Sequence, residues 1–283
     1  MHNSSRARDE DGLADLHIHT NNSDGDFTPA EIVEKAVAAG LQAISITDHD
    51  AIAGISEAQQ IAKSYDLEVI AGIELSCVED ENCFHMLGYF IDINNKDLQN
   101  YIKLLQTDRF ERAQKIIIKL SNLGIDISLD VVLEKAGPGA IGRPHIAEIL
   151  LEEGYVLSFE EAFARFLGYV KPAFVQNYPI SSKEAMELIH TAGGISFLAH
   201  PQPNLNENQL EKYIEDGLDG LEIHHPRFSE ADVSKLYNLA INYDLLVSGG
   251  SDFHTIKNGE CCLGKKSVPY RFVEDMKCRL ISS

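Results

Sequence analysis

Apolar, β-branched runs punctuate the chain at Leu13 to Ile18, Ala43 to Thr47, Glu68 to Ile73, Gly194 to Ala199, Gly220 to Ile223 and Leu245 to Val247. Their near-continuous apolar character predicts strands buried on both faces, as in a parallel sheet. Segments of helical periodicity fill the gaps. Thr28-Pro29 with Glu31 supplies an N-cap, a proline at N1 and a carboxylate at N3. Ser181-Ser182 opens a helix toward His190, Ser229 opens one through Ala240, and Gly40 and Gly193 sit where helices should stop. Six or more such βα units predict an α/β fold closed into a barrel rather than a short open sheet. The alternation breaks from Lys96 to about Tyr178, where apolar positions such as Ile102, Leu105, Ile116, Ile117 and Leu120 recur at helical spacing and no strand run occurs. The organisation predicted is a flexible tail over residues 1–12, a barrel over 13–95 and 179–283, and a helical insertion over 96–178 covering the barrel's mouth.

A length of 283 residues with 44% hydrophobic content suits one large domain, or one domain carrying an insert. No run approaches the ~18 to 20 apolar residues of a membrane helix, so no membrane partner is expected. Met1 to Gly12 is polar and lacks the apolar stretch of a signal peptide, and five cysteines, two of them adjacent at Cys261 and Cys262, do not suggest a disulfide framework. A cytoplasmic location follows as an expectation. The net charge of −20 is placed unevenly: residues 101–175 hold ten acids and nine bases, a net of −1, which leaves −19 for the rest. Such a body should repel long duplex nucleic acid and favour a compact anionic substrate met locally by metals and a few bases.

The chemistry concentrates where the predicted strands end. In Asp15-Leu16-His17-Ile18-His19 the two histidines lie two apart and can face one side of a strand. An H-x-H pair is weak by itself, but this one closes an apolar run, where a barrel's C-terminal mouth would be. Asp48-His49-Asp50, Glu74, His200, and Asp252 with His254 close four further runs, His85 lies on a strand-like run from Cys83 to Phe90, and Asp24 sits in a loop after the first strand. Strands ending at random would not converge on His, Asp and Glu in this way.

These motifs, His17-Ile-His19-Thr, Ser23-Asp24-Gly25, Thr47-Asp48-His49-Asp50, Gly72-Ile-Glu74, His85-Met-Leu-Gly-Tyr, Ala199-His200-Pro201 and Gly250-Ser-Asp252-Phe-His254, resemble in order those of the PHP (polymerase and histidinol phosphatase) superfamily. Gly142-Arg143-Pro144-His145 further resembles its stand-alone bacterial branch, which dephosphorylates nucleoside 3′,5′-bisphosphates and trims short RNAs from the 5′ end. The resemblance implies a distorted (β/α)7 TIM-like barrel with a trinuclear metal site. By it, His17, His19, Glu74 and Asp252 would hold the first metal, Glu74 would bridge to a second with His85 and His200, and Asp24, His49 and His254 would hold the third. Glu74, Asp252, His200 and His254 form the expected catalytic subset, with a metal-bridging hydroxide as nucleophile. The mixed nitrogen and oxygen donors suit Mn²⁺, Fe²⁺ or Zn²⁺. Asp15, Asp48 and Asp50 are expected to orient ligand histidines.

Substrate grip is expected from Arg143, whose planar fork suits phosphate, with His145, Lys171 and His225 as further contacts. Tyr155, Phe159, Phe166, Tyr169 and Phe174 are available to stack on a base, although helical spacing reads most of them as core, and Cys77 and Cys83 read as small buried hydrophobes. The expected reaction removes the 3′-phosphate from nucleoside 3′,5′-bisphosphates, and the same O3′ cleavage would accept short 5′-phosphorylated RNA or DNA oligonucleotides. A histidinol-phosphate phosphatase is the alternative within the superfamily, and a metal-dependent C–N hydrolase resembling amidohydrolases is the alternative outside it. The first needs no second phosphate clamp. The second commonly bridges its metals with a modified lysine, and no lysine stands at a strand end here.

Overall fold

The computed structural model describes residues 12–79, 82–137, 139–176, 180–202, 205–256 and 259–282. Apart from Gly12, the tail expected over residues 1–12 lies outside them, as do Tyr178 and Pro179 at the expected end of the insertion. Eight strands run as β1 (Leu13–Ile18), β2 (Ala43–Ile46), β3 (Glu68–Glu79), β4 (Asn82–Tyr89), β5 (Ile195–Leu198), β6 (Gly220–His224), β7 (Leu246–Gly249) and β8 (Val268–Pro269). They form one sheet in the order β7-β6-β5-β4-β3-β2-β1-β8. The sheet curls until its ends meet: Ile18 bridges Phe253 just beyond β7, and the His19 N–H donates to the Phe253 carbonyl at 2.9 Å. The result is a nearly closed α/β barrel. Gly250 makes the approach possible, since a Cβ there would lie 2.3 Å from the His17 nitrogen.

One feature corrects the expectation of an all-parallel barrel. β4 runs antiparallel to both β3 and β5, and the short β8 runs antiparallel to β1. Only two residues separate β3 from β4, far fewer than a parallel crossover requires. β3 also continues past Ile73 to Glu79, so Glu74 lies within a strand rather than at its end.

Helices α1 (Pro29–Ala38) and α2 (Ile55–Ala62) cover β1 and β2; α1 opens with the capping box of Thr28 and Glu31. Between β4 and β5 stand α3 (Lys96–Asn122), α4 (Leu129–Ala136), α5 (Arg143–Glu152), the single turn α6 (Phe159–Ala162) continued by a π-helical turn Phe163–Leu167, and α7 (Ser182–Thr191). The circuit closes with α8 (Glu207–Glu215), α9 (Glu230–Asn242) and α10 (Arg271–Ser282). The first half of α3 packs Leu98, Ile102 and Leu105 into the barrel's outer core with α7, whereas Ile116 and Leu120 join Val132, Ile146, Leu150 and Leu167 in a separate core. A 27-residue helix thus carries an independently packed cap out from the barrel wall. Among the described residues, no helix is long and apolar enough to cross a membrane.

Candidate metal centre

Nine side chains converge at the barrel's mouth: Asp24, Glu74 and Asp252 with His17, His19, His49, His85, His200 and His254. His17 and His19 reach the same point because His19 extends the run of β1 by one residue and residues two apart in extended chain share a face; their Nε2 atoms are 3.1 Å apart. Each of these Nε2 atoms lies 3.3 Å from Glu74 Oε2, and they lie 3.4 and 3.2 Å from Asp252 Oδ1. Glu74 Oε1 lies 2.9 Å from His85 Nδ1 and 3.0 Å from His200 Nε2, so its two oxygens face different sets of donors. On the other side, Asp24 Oδ1 is 3.3 Å from His254 Nε2 and 3.7 Å from His19 Nδ1, and Asp24 Oδ2 is 3.9 Å from His49 Nε2. His49 turns its other nitrogen to Glu74 Oε2 at 3.0 Å. His200 and Asp252 hold their positions at bends with positive φ of 28° and 49°, backbone strain of the kind that collects at functional sites.

The donor set fits divalent cations. Asp24 Oδ1, His49 Nδ1 and Glu74 Oε2 are buried without a hydrogen-bond partner, although other donor atoms stand close by. Three groups can each surround an ion: His19, Asp24, His49 and His254; His17, His19 and Asp252; and His49, Glu74 and His85. Burial works against ionisation of Asp24, Glu74 and Asp252, yet the histidines around them hold all three carboxyls well below the usual range. Burial likewise opposes protonation of His19, but Asp252 and Glu74 draw its pKa up to about 10, while burial takes His49 down to about 3. Three anionic groups among buried imidazoles are an arrangement that positive charge stabilises.

The residues that steady this cluster differ from those expected. Asp15 accepts from the backbone N–H groups of Ser251 (2.9 Å) and Gly264 (2.7 Å), and Asp48 from Thr20 N (2.7 Å), Thr20 Oγ1 (2.7 Å) and Ser23 Oγ (2.7 Å). Asp50 accepts from Ser76 N at 2.9 Å and from Arg109 on α3. Asp15 and Asp48 fix loops and Asp50 fixes β3 and α3; none meets a histidine ring directly, and only Ser23 Oγ, which donates to Asp48, comes within 3.4 Å of His19 Nδ1. The ring-holding carboxylate is Glu222 on β6, which sequence reasoning missed: its Oε1 lies 2.8 Å from His17 Nδ1 and its Oε2 accepts from the His200 N–H at 2.6 Å. His225, expected to contact substrate, is only 2% exposed. Its Nδ1 accepts from Arg227 N, so Nε2 carries the proton and donates to Asp252 Oδ2 at 3.2 Å, leaving no ring nitrogen for a phosphate.

Above the cluster, α5 starts at the loop that carries Asp24. The Ala140 N–H donates to the Asn22 carbonyl at 2.8 Å, and Arg109 donates to the Ile141 carbonyl at 3.0 Å. His145 caps its own helix by accepting from Gly142 N at 3.0 Å, and the Ser23 backbone also hydrogen-bonds to the ring. Arg143 is half-buried, donates to the Leu167 carbonyl at 3.1 Å, and has its Cζ 5.5 Å from the Phe174 ring and 5.7 Å from the Phe163 ring. Tyr169 meets Phe174 edge-on at 5.4 Å, whereas Phe159 and Phe166 pack against the cap's core. Lys171 is exposed on the following turn. Cys77 is buried, but Cys83 is exposed, its Sγ accepting from Gln176.

The chain is similar to proteins already known. A family model for the PHP domain matches residues 15–172. The chain is 36% identical to a 5′-3′ exoribonuclease of Haemophilus influenzae, over 85% of this chain and 89% of that one. It is 31% identical to a 3′,5′-nucleoside bisphosphate phosphatase of Chromobacterium violaceum, over 87% and 88%. A structure from Bifidobacterium adolescentis, described as a metal-dependent phosphoesterase, superposes with a TM-score of 0.86 at 33% identity, covering 94% of this chain and 96% of that one. A barrel whose mouth gathers these donors defines a metal-dependent phosphoric ester hydrolase. The chain belongs to the PHP domain family.

Proposed function

We propose that this chain removes the 3′-phosphate from nucleoside 3′,5′-bisphosphates, giving nucleoside 5′-monophosphates, and cuts short 5′-phosphorylated oligonucleotides at the same O3′ bond. The names of the Haemophilus and Chromobacterium relatives correspond to these two substrates. The observation that carries the reading is Arg143, an arginine with no carboxylate within ion-pairing distance among the described residues, in the first turn of the helix whose His145 packs against the Asp24 loop. One phosphate meets the cluster and the other meets the guanidinium.

Three divalent ions are proposed, held by His17, His19, Glu74 and Asp252; by Glu74, His85 and His200; and by Asp24, His49 and His254. Mn²⁺, Fe²⁺ and Zn²⁺ all suit these donors. Bound ions would supply Lewis acidity toward the phosphoryl oxygens and lower the pKa of water. Glu74, with both oxygens committed to histidine-lined sides of the cluster, fixes the spacing of those sides. Glu222 holds the Nδ1 proton on His17, which directs the Nε2 lone pair inward. His225 donates to Asp252 and keeps its other oxygen aimed at His17 and His19.

Adenosine 3′,5′-bisphosphate with Mn²⁺ should release phosphate, and Arg143→Ala should raise KM about 10- to 100-fold, the weight of a charge-assisted phosphate contact. Equal kcat/KM in the variant and the parent would remove the clamp from this account. Turnover of histidinol phosphate with no dependence on Arg143 would favour the alternative phosphatase.

A further inference from the structure

The two loops that carry Asp24 and His49 are gripped by the helical insertion. Three consecutive residues before Asp24 meet it. A Cβ at Gly139 would lie 2.6 Å from the Asn21 carbonyl oxygen, the Asn22 carbonyl accepts from Ala140 N at 2.8 Å, and the Ser23 backbone hydrogen-bonds to the His145 ring. His49 is held one residue away. Asp50 sits at a positive φ of 51°, strained for a residue with a side chain, and its carboxylate accepts from Arg109 Nε and from Ser76 N, each at 2.9 Å. Arg109 also donates to the Ile141 carbonyl at 3.0 Å, next to Ala140, so one guanidinium joins the two grips.

His17, His200 and Asp252 are steadied differently, from within the barrel. Glu222 of β6 holds the His17 ring and the His200 N–H, and His225, just beyond β6, donates to Asp252. The group of Asp24, His49 and His254 depends on loops instead. Asp26 N donates to the His254 carbonyl at 2.8 Å, which ties His254 to the gripped Asp24 loop as well. A ligand on a loop is placed no better than the loop itself, and metal affinity responds to such placement. We propose that the insertion is part of this third cation site: Arg109 and residues 139–141 are positioning residues for Asp24 and His49, and occupancy of the site is linked to seating of the insertion. The linkage is reciprocal, since whatever the seated insertion adds to ion affinity, the ion adds to the seating. It rests on the three-ion reading above and gives the insertion a task apart from substrate contact.

Amide hydrogen exchange of the whole protein with and without Mn²⁺ tests one direction, and Mn²⁺ calorimetry tests the other. In the parent, Mn²⁺ should slow exchange across α5 about 10-fold. Asp24→Asn should abolish that protection while Mn²⁺ still protects β1, which carries His17. Gly139→Ala, whose Cβ would push the insertion and the Asp24 loop apart, should weaken one of three Mn²⁺ ions about 10-fold and leave the other two within about 2-fold. Arg109→Lys keeps the charge opposite Asp50 but not the fork; it serves should the alanine variant melt early, with the same single-ion loss expected. Four results would each overturn the linkage while leaving a metal-dependent hydrolase standing: protection of β1 without α5, protection of α5 that survives Asp24→Asn, a parent that binds only two ions, and variants that lose affinity for all ions equally or for none. A parent that binds no Mn²⁺ would sink the metal centre and the linkage together.

Discussion

At His17 one ring has two tasks: Nε2 faces Glu74 and Asp252, while Nδ1 lies 2.8 Å from Glu222. Burial opposes ionisation of Glu222, but His17 and its neighbours hold its carboxyl below the usual range, so it stays anionic and fixes the tautomer. Glu222→Gln preserves size and an oxygen for the His200 N–H but removes the charge. Mn²⁺ affinity should fall about 10- to 100-fold, read by competition against a chelator. An unaltered affinity would limit Glu222 to holding the backbone. The inner ligands are legible in the sequence because each follows or interrupts an apolar run, which makes His19, His49 or His200 conspicuous. Glu222 is not, because its partner lies 205 residues away and the pairing depends on how β6 faces β1 across the barrel. Asp15, Asp48 and Asp50 mislead for the converse reason: they sit beside ligands in sequence, yet their oxygens satisfy backbone N–H and hydroxyl groups or Arg109.

Between elements, the contact that sets the cap on the barrel is Arg109 of α3 against Asp50 at the end of the β2 run, extended through Ser76 Oγ and the Ile141 carbonyl. Both side chains are buried, so removing one partner leaves a charge uncompensated. Arg109→Met should cost about 3–5 kcal/mol in denaturant unfolding, and adding Asp50→Asn should recover much of it. The pH dependence has a definite sign. Burial raises the Asp50 pKa, but Arg109, the Ser76 N–H and His49 together more than offset this and leave it below the ordinary value. Its contribution is therefore complete above about pH 4 and is lost as pH falls further, through the folded pKa. Below about pH 4 the parent's stability should fall more steeply than the double variant's; parallel slopes would refute the coupling. The helical span over Lys96–Asn122 is legible from its periodicity, and so is the strand carrying His85. The direction of that strand is not, because direction follows from a two-residue connection whose length matters more than any residue in it.

Across the whole molecule, the net charge of −20 resides almost entirely outside residues 101–175, the stretch that carries Arg109, Arg112 and Arg143. Asp15, Asp24, Asp48, Asp50, Glu74, Glu222 and Asp252 belong to the barrel interior and its mouth, where bound cations would offset them, while the remaining acids give an anionic substrate repulsion at long range. Salt acts on these two contributions differently. At ~0.15 M the Debye length is about 8 Å, so added salt screens the distant acidic surface thoroughly while shielding partly buried contacts much less. A nucleoside bisphosphate samples chiefly the mouth, and its kcat/KM should decline modestly between about 0.05 and 0.2 M salt. A 5′-phosphorylated strand of about 20 nucleotides trails its backbone along the acidic exterior, so relief of repulsion should offset that decline or turn it into a rise. Comparing the two salt slopes under one set of metal conditions isolates the effect. A steep fall for the long strand, with a slope of several units in log kcat/KM against log salt, would signify an extended cationic track and would contradict a substrate held only at the barrel mouth.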